Sequence, residues 1–121
     1  MIEGLRTVVY PVTDIAAATA WYQAVLERAP YFNEPFYVGF EVGGFELGLI
    51  PDGTPGPDGA TAYWGTADIN AETDRIVGLG GTIHSPPTEV GGGIVVAAIK
   101  DPYGNQFGLI FNPHFDKAKV G

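Results

Sequence analysis

The pattern of apolar and polar positions along the chain runs strand, helix, strands, and then runs through that order a second time. Residues 5–12 (LRTVVYPV) are apolar and β-branched, the composition of a buried strand. Asp14 stands as an N-cap before the alanine-rich run 15–26. There Ile15, Ala18, Tyr22 and Val25 fall on one helical face, with Trp21 beside them. Residues 36–42 and 45–50 flank Gly43 and Gly44 and predict a hairpin. The order then restarts. Residues 61–67 predict a strand, and Asp68 caps a helix over 70–79. Gly80 and Gly81 end that helix through a left-handed residue. Residues 82–84, 94–100 and 106–111 predict three more strands, with PPTEVGGG (86–93) as a loop between the first two.

The restart is also visible in residue identity. Setting TDIAAAT (13–19) on ADINAET (67–73) places Asp14 on Asp68, Ile15 on Ile69, Ala17 on Ala71 and Thr19 on Thr73. Each half closes on GLI, at 48–50 and at 108–110. PDGTPGPDG (51–59) joins them and reads as a linker. Internal repetition points to a fold built from one supersecondary unit used twice. The expectation is an α+β fold, with two βαβββ modules whose curved mixed sheets enclose a cleft. One domain would comprise module one (1–50), linker (51–59), module two (60–112) and tail (113–121).

Composition narrows the function. With 121 residues, 45% hydrophobic and 17% charged, the chain is long enough for one globular core. It has no cysteine, which excludes disulfides, thiolate metal sites and a cysteine nucleophile. No apolar run approaches the ~20 residues of a membrane helix. The segment MIEGLRTVVY lacks the regions of a signal peptide, so a cytoplasmic location is expected. Fourteen acidic residues against six basic ones give a net charge of −8. The basic residues are scattered, which argues against a nucleic-acid partner, and the negative charge either serves solubility or mildly favours cationic ligands.

YPVTDIAAATAWYQAVL (10–26) and GGTIHSPPTEVGGGIVVAAIKDPYGNQFGLI (80–110) resemble the vicinal oxygen chelate superfamily. This group includes glyoxalases, extradiol dioxygenases, epimerases, and bleomycin and fosfomycin resistance proteins. The D-P-x-G-N turn at 101–105, just before the last strand, is its most specific sign. The resemblance implies a ligand cleft and, in the metal enzymes of the family, ligands on the first and last strands of each module. Those places map to Thr7, Gly48, Thr61 and Gly108. None carries the imidazole or carboxylate that a transition-metal ion needs, so neither metal nor cofactor is expected. Glutamate at 108 and histidine at 61 would then add donors on the cleft face without disturbing the core.

Strand alternation extends this face. If Thr7 and Thr61 point to the cleft, so do Val9, Pro11, Tyr63 and Gly65. Gly48 and Gly108 bring Glu46, Ile50, Gln106 and Ile110 with them. The aromatic stretch 31–40 adds Tyr31, Phe32, Phe36, Tyr37 and Phe40. The candidate ligand cleft is therefore Thr7, Val9, Phe36, Phe40, Glu46, Gly48, Thr61, Tyr63, Gln106 and Gly108. Glu46 is either a carboxylate that orients a ligand amine or acts as a base, or a solvated strand residue. Glu41 reads as exposed, His84 as an edge residue and His114 as part of a docking tail. No Ser/His/Asp set is spaced for nucleophilic catalysis. Two functions follow. One is a metal-independent small-molecule-binding protein of the glyoxalase/bleomycin-resistance type, a homodimer sequestering a basic or aromatic compound. The other is a lyase, isomerase or dioxygenase acting on a small organic substrate.

Overall fold

The computed structural model describes residue 1, residues 5–56 and residues 61–113. The chain forms two compact units that divide between Pro55 and Gly56, inside the predicted linker. Linker residues 57–59, and the tail from 114 onward with His114, lie outside the described residues.

The first unit holds β1 (Thr7–Pro11), α1 (Ile15–Leu26), β2 (Phe32–Glu34), β3 (Tyr37–Val42) and β4 (Phe45–Ile50). Its sheet runs β1-β4-β3-β2, with β1 parallel to β4 and the other pairs antiparallel. The second unit holds β5 (Ala62–Gly65), α2 (Ile69–Gly78), β6 (Thr82–Gly91), β7 (Ile94–Lys100) and β8 (Gln106–Phe111). Its sheet runs β5-β8-β7-β6, the same order. The register repeats as well. Val8 pairs with Leu47 and Val9 with Gly48, as Ala62 pairs with Phe107 and Tyr63 with Gly108. The fold is α+β, two βαβββ modules with mixed sheets, as the repeat predicts.

The helices begin and end where the residues dictate. Asp14 Oδ1 accepts from Ala17 N at 3.1 Å, and Asp68 Oδ1 from Ala71 N at 3.1 Å. These bonds satisfy N–H groups that have no partner within the helix. Gly80, at φ 107°, closes α2: its N–H reaches Val77 O and that of Gly81 reaches Ile76 O, both at 3.0 Å. Ala18, Tyr22 and Val25 are the buried face of α1. Within each unit the apolar face of the sheet meets its helix: Tyr10, Val12, Val38, Phe40, Leu47 and Leu49 in the first, Ala97, Ile99, Phe107 and Leu109 in the second.

Three elements differ from expectation. Residues 32–34 form the extra edge strand β2, which leaves Phe36 in the turn before β3. The predicted loop at 86–93 is mostly strand, because β6 continues to Gly91. Proline lacks an N–H for a ladder, but β6 is an edge strand. Pro86 and Pro87 fall where its register slips between Ser85 and Thr88. Phe40 is 0% exposed and pairs with Leu47, so it belongs to the core rather than to the ligand face.

Candidate functional site

The site is built on the open face of the first sheet. Gly43 and Gly44 make a two-residue turn, and that length fixes the register of β3 on β4. Glu46 stands opposite Glu41, and Gly48 opposite Gly39. On the other side β1 sets Thr7 opposite Glu46 and Val9 opposite Gly48. Thr7, Glu46 and Gly48 therefore share the face that alternation assigns them. Thr7 is exposed, Val9 is 40% exposed, and their neighbour Tyr10 is 6% exposed.

Glu46 is the centre of this face. Its Oε1 accepts from Thr7 Oγ1 at 2.7 Å and from the Tyr37 hydroxyl. Its Oε2 accepts from the Tyr31 hydroxyl. Partial burial acts to raise the Glu46 carboxyl, but hydrogen bonds from Tyr31, Tyr37 and Thr7 outweigh it and hold the group below its ordinary value of 4.5. The phenols respond in the opposite sense. The bond to Glu46, followed by desolvation, raises Tyr31; desolvation, followed by the bond to Glu46, raises Tyr37. At neutral pH the cluster is one carboxylate with three neutral hydroxyl donors.

These directions set a pH dependence. A carboxyl depressed in the folded state contributes stability above its unfolded value, and that contribution is lost as pH falls through the folded value. Wild-type protein is expected to lose more thermal stability than Glu46→Gln on acidification from about pH 5 to pH 3. Parallel melting curves at the two ends of that range check it. An equal loss in both proteins would show that the carboxylate is not held by these bonds.

Around Glu46 lies an open groove of about 420 Å³, lined by Arg6, Tyr31, Glu41, Gly44, Phe45 and Glu46. Glu41, predicted exposed, is so; it also accepts from Gly44 N at 2.7 Å and faces Arg28 at 3.7 Å. Aromatic rings flank the cluster. Phe32 lies 6.1 Å from Phe36 and 6.1 Å from Tyr37, centroid to centroid, both edge-on. Tyr31 and Phe36 are 64% and 66% exposed. Tyr31 and Tyr37 were legible in the sequence only as members of an aromatic stretch. The signal for Tyr37 is the hairpin register, which places it on the face of Gly39 and Glu41.

The two strand glycines are filled by tyrosines. A Cβ at Gly48 would collide with the Tyr37 hydroxyl. A Cβ at Gly108 would lie 2.6 Å from the carbonyl oxygen of Ala62 and 2.6 Å from Cδ1 of Tyr63. Glutamate at 108 would therefore disturb the β5–β8 pairing, contrary to the expectation that it would only add a donor. In the second unit, Tyr63 is 48% exposed, Thr61 and Gln106 are half-buried, and Gly108 is buried beneath the Tyr63 ring. The D-P-Y-G-N turn before β8 is organised by buried Asp101, whose Oδ1 accepts from Tyr103 N at 2.9 Å and Asn105 N at 2.8 Å. His84 lies exposed on edge strand β6.

The four family metal positions thus carry two hydroxyls and two glycines, with the glycine sites occupied by tyrosine side chains. Among the described residues, no three His, Cys, Asp or Glu side chains converge as a metal-binding group. This donor set does not fit a transition-metal ion.

Residues 4–109, which span both strand–helix–three-strand modules, match one family: Glyoxalase/Bleomycin resistance protein/Dioxygenase superfamily. The chain belongs to that family. No match was found among functionally curated proteins. Solved structures agree on the fold. A glyoxalase-related enzyme from Fulvimarina pelagi is 19% identical with a TM-score of 0.77, over 93% of this chain and 90% of that one. A glyoxalase/bleomycin resistance protein/dioxygenase family enzyme from Burkholderia phytofirmans PsJN is 19% identical with a TM-score of 0.75, over 87% and 95%. A glyoxalase/bleomycin resistance protein from Albidiferax ferrireducens T118 is 19% identical with a TM-score of 0.75, over 90% and 98%. No helix among the described residues is long and apolar enough to cross a membrane.

Proposed function

We propose that the protein is a metal-independent binder of small basic or aromatic molecules, and that its binding surface is the Glu46 face of the first sheet. The observation that carries this reading is one carboxylate set among exposed aromatic rings. Tyr31 presents its ring at Glu46, exposed Phe32 and Phe36 extend the aromatic surface beyond Tyr37, and a net charge of −8 adds a favourable field. Cations are held over aromatic faces by the ring quadrupole, at about 0.5–2 kcal/mol per contact depending on desolvation. A groove of about 420 Å³ is within the usual range for a small-molecule site.

The test uses benzyltrimethylammonium as a probe that is both aromatic and cationic. Calorimetric titration in the presence of a chelator is expected to show saturable binding. Glu46→Gln should weaken it about tenfold, since a close charge in a partly desolvated site contributes about 1.4 kcal/mol or more. A wild-type titration that never saturates, or one that Glu46→Gln leaves unchanged, would refute the proposal.

The same reading includes a homodimer. Ile83 and Val90 on edge strand β6 are 46% and 61% exposed, apolar surface that a second copy would cover. Light scattering at micromolar concentration should give twice the chain mass; a monomer mass would remove this part.

A further inference from the structure

The two oxygens of Glu46 are held differently. Oε1 is fixed from both sides by neighbouring strands, with Thr7 on β1 and Tyr37 on β3. An oxygen of this kind has about two lone-pair directions, and both are taken. Oε2 accepts one hydroxyl, that of Tyr31. Tyr31 precedes β2, is 64% exposed and lines the groove. Its backbone is tied down, since its N–H donates to Gly39 O at 3.0 Å, but its ring is not enclosed. Gly39 completes the picture. A Cβ there would lie 2.9 Å from Oε2 and 3.3 Å from Cε1 of the Tyr31 ring. Any residue larger than glycine would press on Oε2 and on the Tyr31 ring, so glycine leaves room around that oxygen.

We infer that the Tyr31 hydroxyl is a displaceable occupant of Oε2, standing where a ligand N–H donor binds, so that Tyr31 sets which ligands the face selects. The inference rests on the small-molecule-binding reading above and deepens it. A primary or secondary ammonium can replace the hydroxyl on Oε2, because it brings both a donor and a charge. A quaternary ammonium has no N–H to offer. It uses the rings and the nearby charge of Glu46 without a hydrogen bond, and leaves the Tyr31–Glu46 bond in place. Wild-type protein therefore spends part of the ammonium's hydrogen bond on breaking an existing one, and Tyr31→Phe removes that competition while keeping the ring. The other charged groups on this face, Arg6 beside β1 and Glu41 on β3, are unchanged by the substitution.

The experiment compares benzylammonium with benzyltrimethylammonium by calorimetry at neutral pH, on wild type, Tyr31→Phe and Gly39→Ala. Tyr31→Phe should bind benzylammonium about tenfold more tightly, the order expected for a hydrogen bond to a charged acceptor freed from competition, with benzyltrimethylammonium changed less than about twofold. Gly39→Ala should weaken benzylammonium selectively. In wild type saturated with benzylammonium at neutral pH, the Tyr31 Cζ carbon resonance should move as its hydroxyl leaves Glu46, and benzyltrimethylammonium should leave that resonance in place. If both probes bind but Tyr31→Phe leaves benzylammonium unchanged or weakened, displacement is wrong and the binding reading stands. If neither probe binds any of the three proteins, both fall together.

Discussion

Gly108→Glu is expected to lower the melting temperature by roughly 10 °C rather than create a metal ligand. The obstacle is backbone. A Cβ at 108 would stand 2.6 Å from the Ala62 carbonyl oxygen, on the parallel strand that pairs with β8, and equally close to the Tyr63 ring. The ring can turn away, but the carbonyl is fixed by the ladder between β5 and β8. Overpacking of this kind costs about 2–3 kcal/mol. Gly48 offers a contrast, because its nearest obstacle is the side chain of Tyr37. Gly108→Ala should therefore destabilise more than Gly48→Ala, and Tyr63→Ala should relieve Gly108→Glu only in part. Thermal melts of the set check the order. A Gly108→Glu protein as stable as wild type would overturn the account of why this strand has no side chain at its centre.

Phe40→Ala should cost about 3–5 kcal/mol in denaturant unfolding, whereas Phe36→Ala should stay within about 0.5 kcal/mol. The two phenylalanines belong to one aromatic stretch but to different environments. Phe40 is 0% exposed, opposite Leu47 on the face that meets α1. Truncating it leaves a cavity that close-packed neighbours fill only partly. Phe36 is 66% exposed in the turn between β2 and β3. Its truncation should instead weaken benzyltrimethylammonium binding by removing ring surface. Similar destabilisation by both substitutions would contradict this division.

The sequence carries much of this architecture because its signals are local and repeated. Asp14 and Asp68 cap helices in the same way, and the register of β1 on β4 recurs in β5 on β8. The face of Thr7, Glu46 and Gly48 follows from alternation once the family resemblance sets its phase. What alternation misses depends on contacts between segments. Phe40 has the opposite parity from Glu41 and so sits with Leu47, a consequence of the two-residue Gly43–Gly44 turn that an aromatic count does not register. Tyr31 reaches Glu46 from outside any strand, through a bond between residues whose proximity only the folded sheet creates. The length of β6 was hidden by Pro86 and Pro87, which end a central strand but not an edge one.

This chain shares the scaffold of its family, and its own character lies in what stands on the sheet face. Here Tyr37 fills the space above Gly48, and hydroxyls engage the nearest carboxylate. The most direct test is an amide NMR titration of protein stripped of metal by a chelator, with benzyltrimethylammonium as the probe. The account predicts saturable shifts concentrated at Thr7, Tyr31, Phe36, Tyr37 and Glu46, unchanged when a divalent metal ion is restored. Shifts that appear only after metal is added, or that cluster away from Glu46, would contradict it.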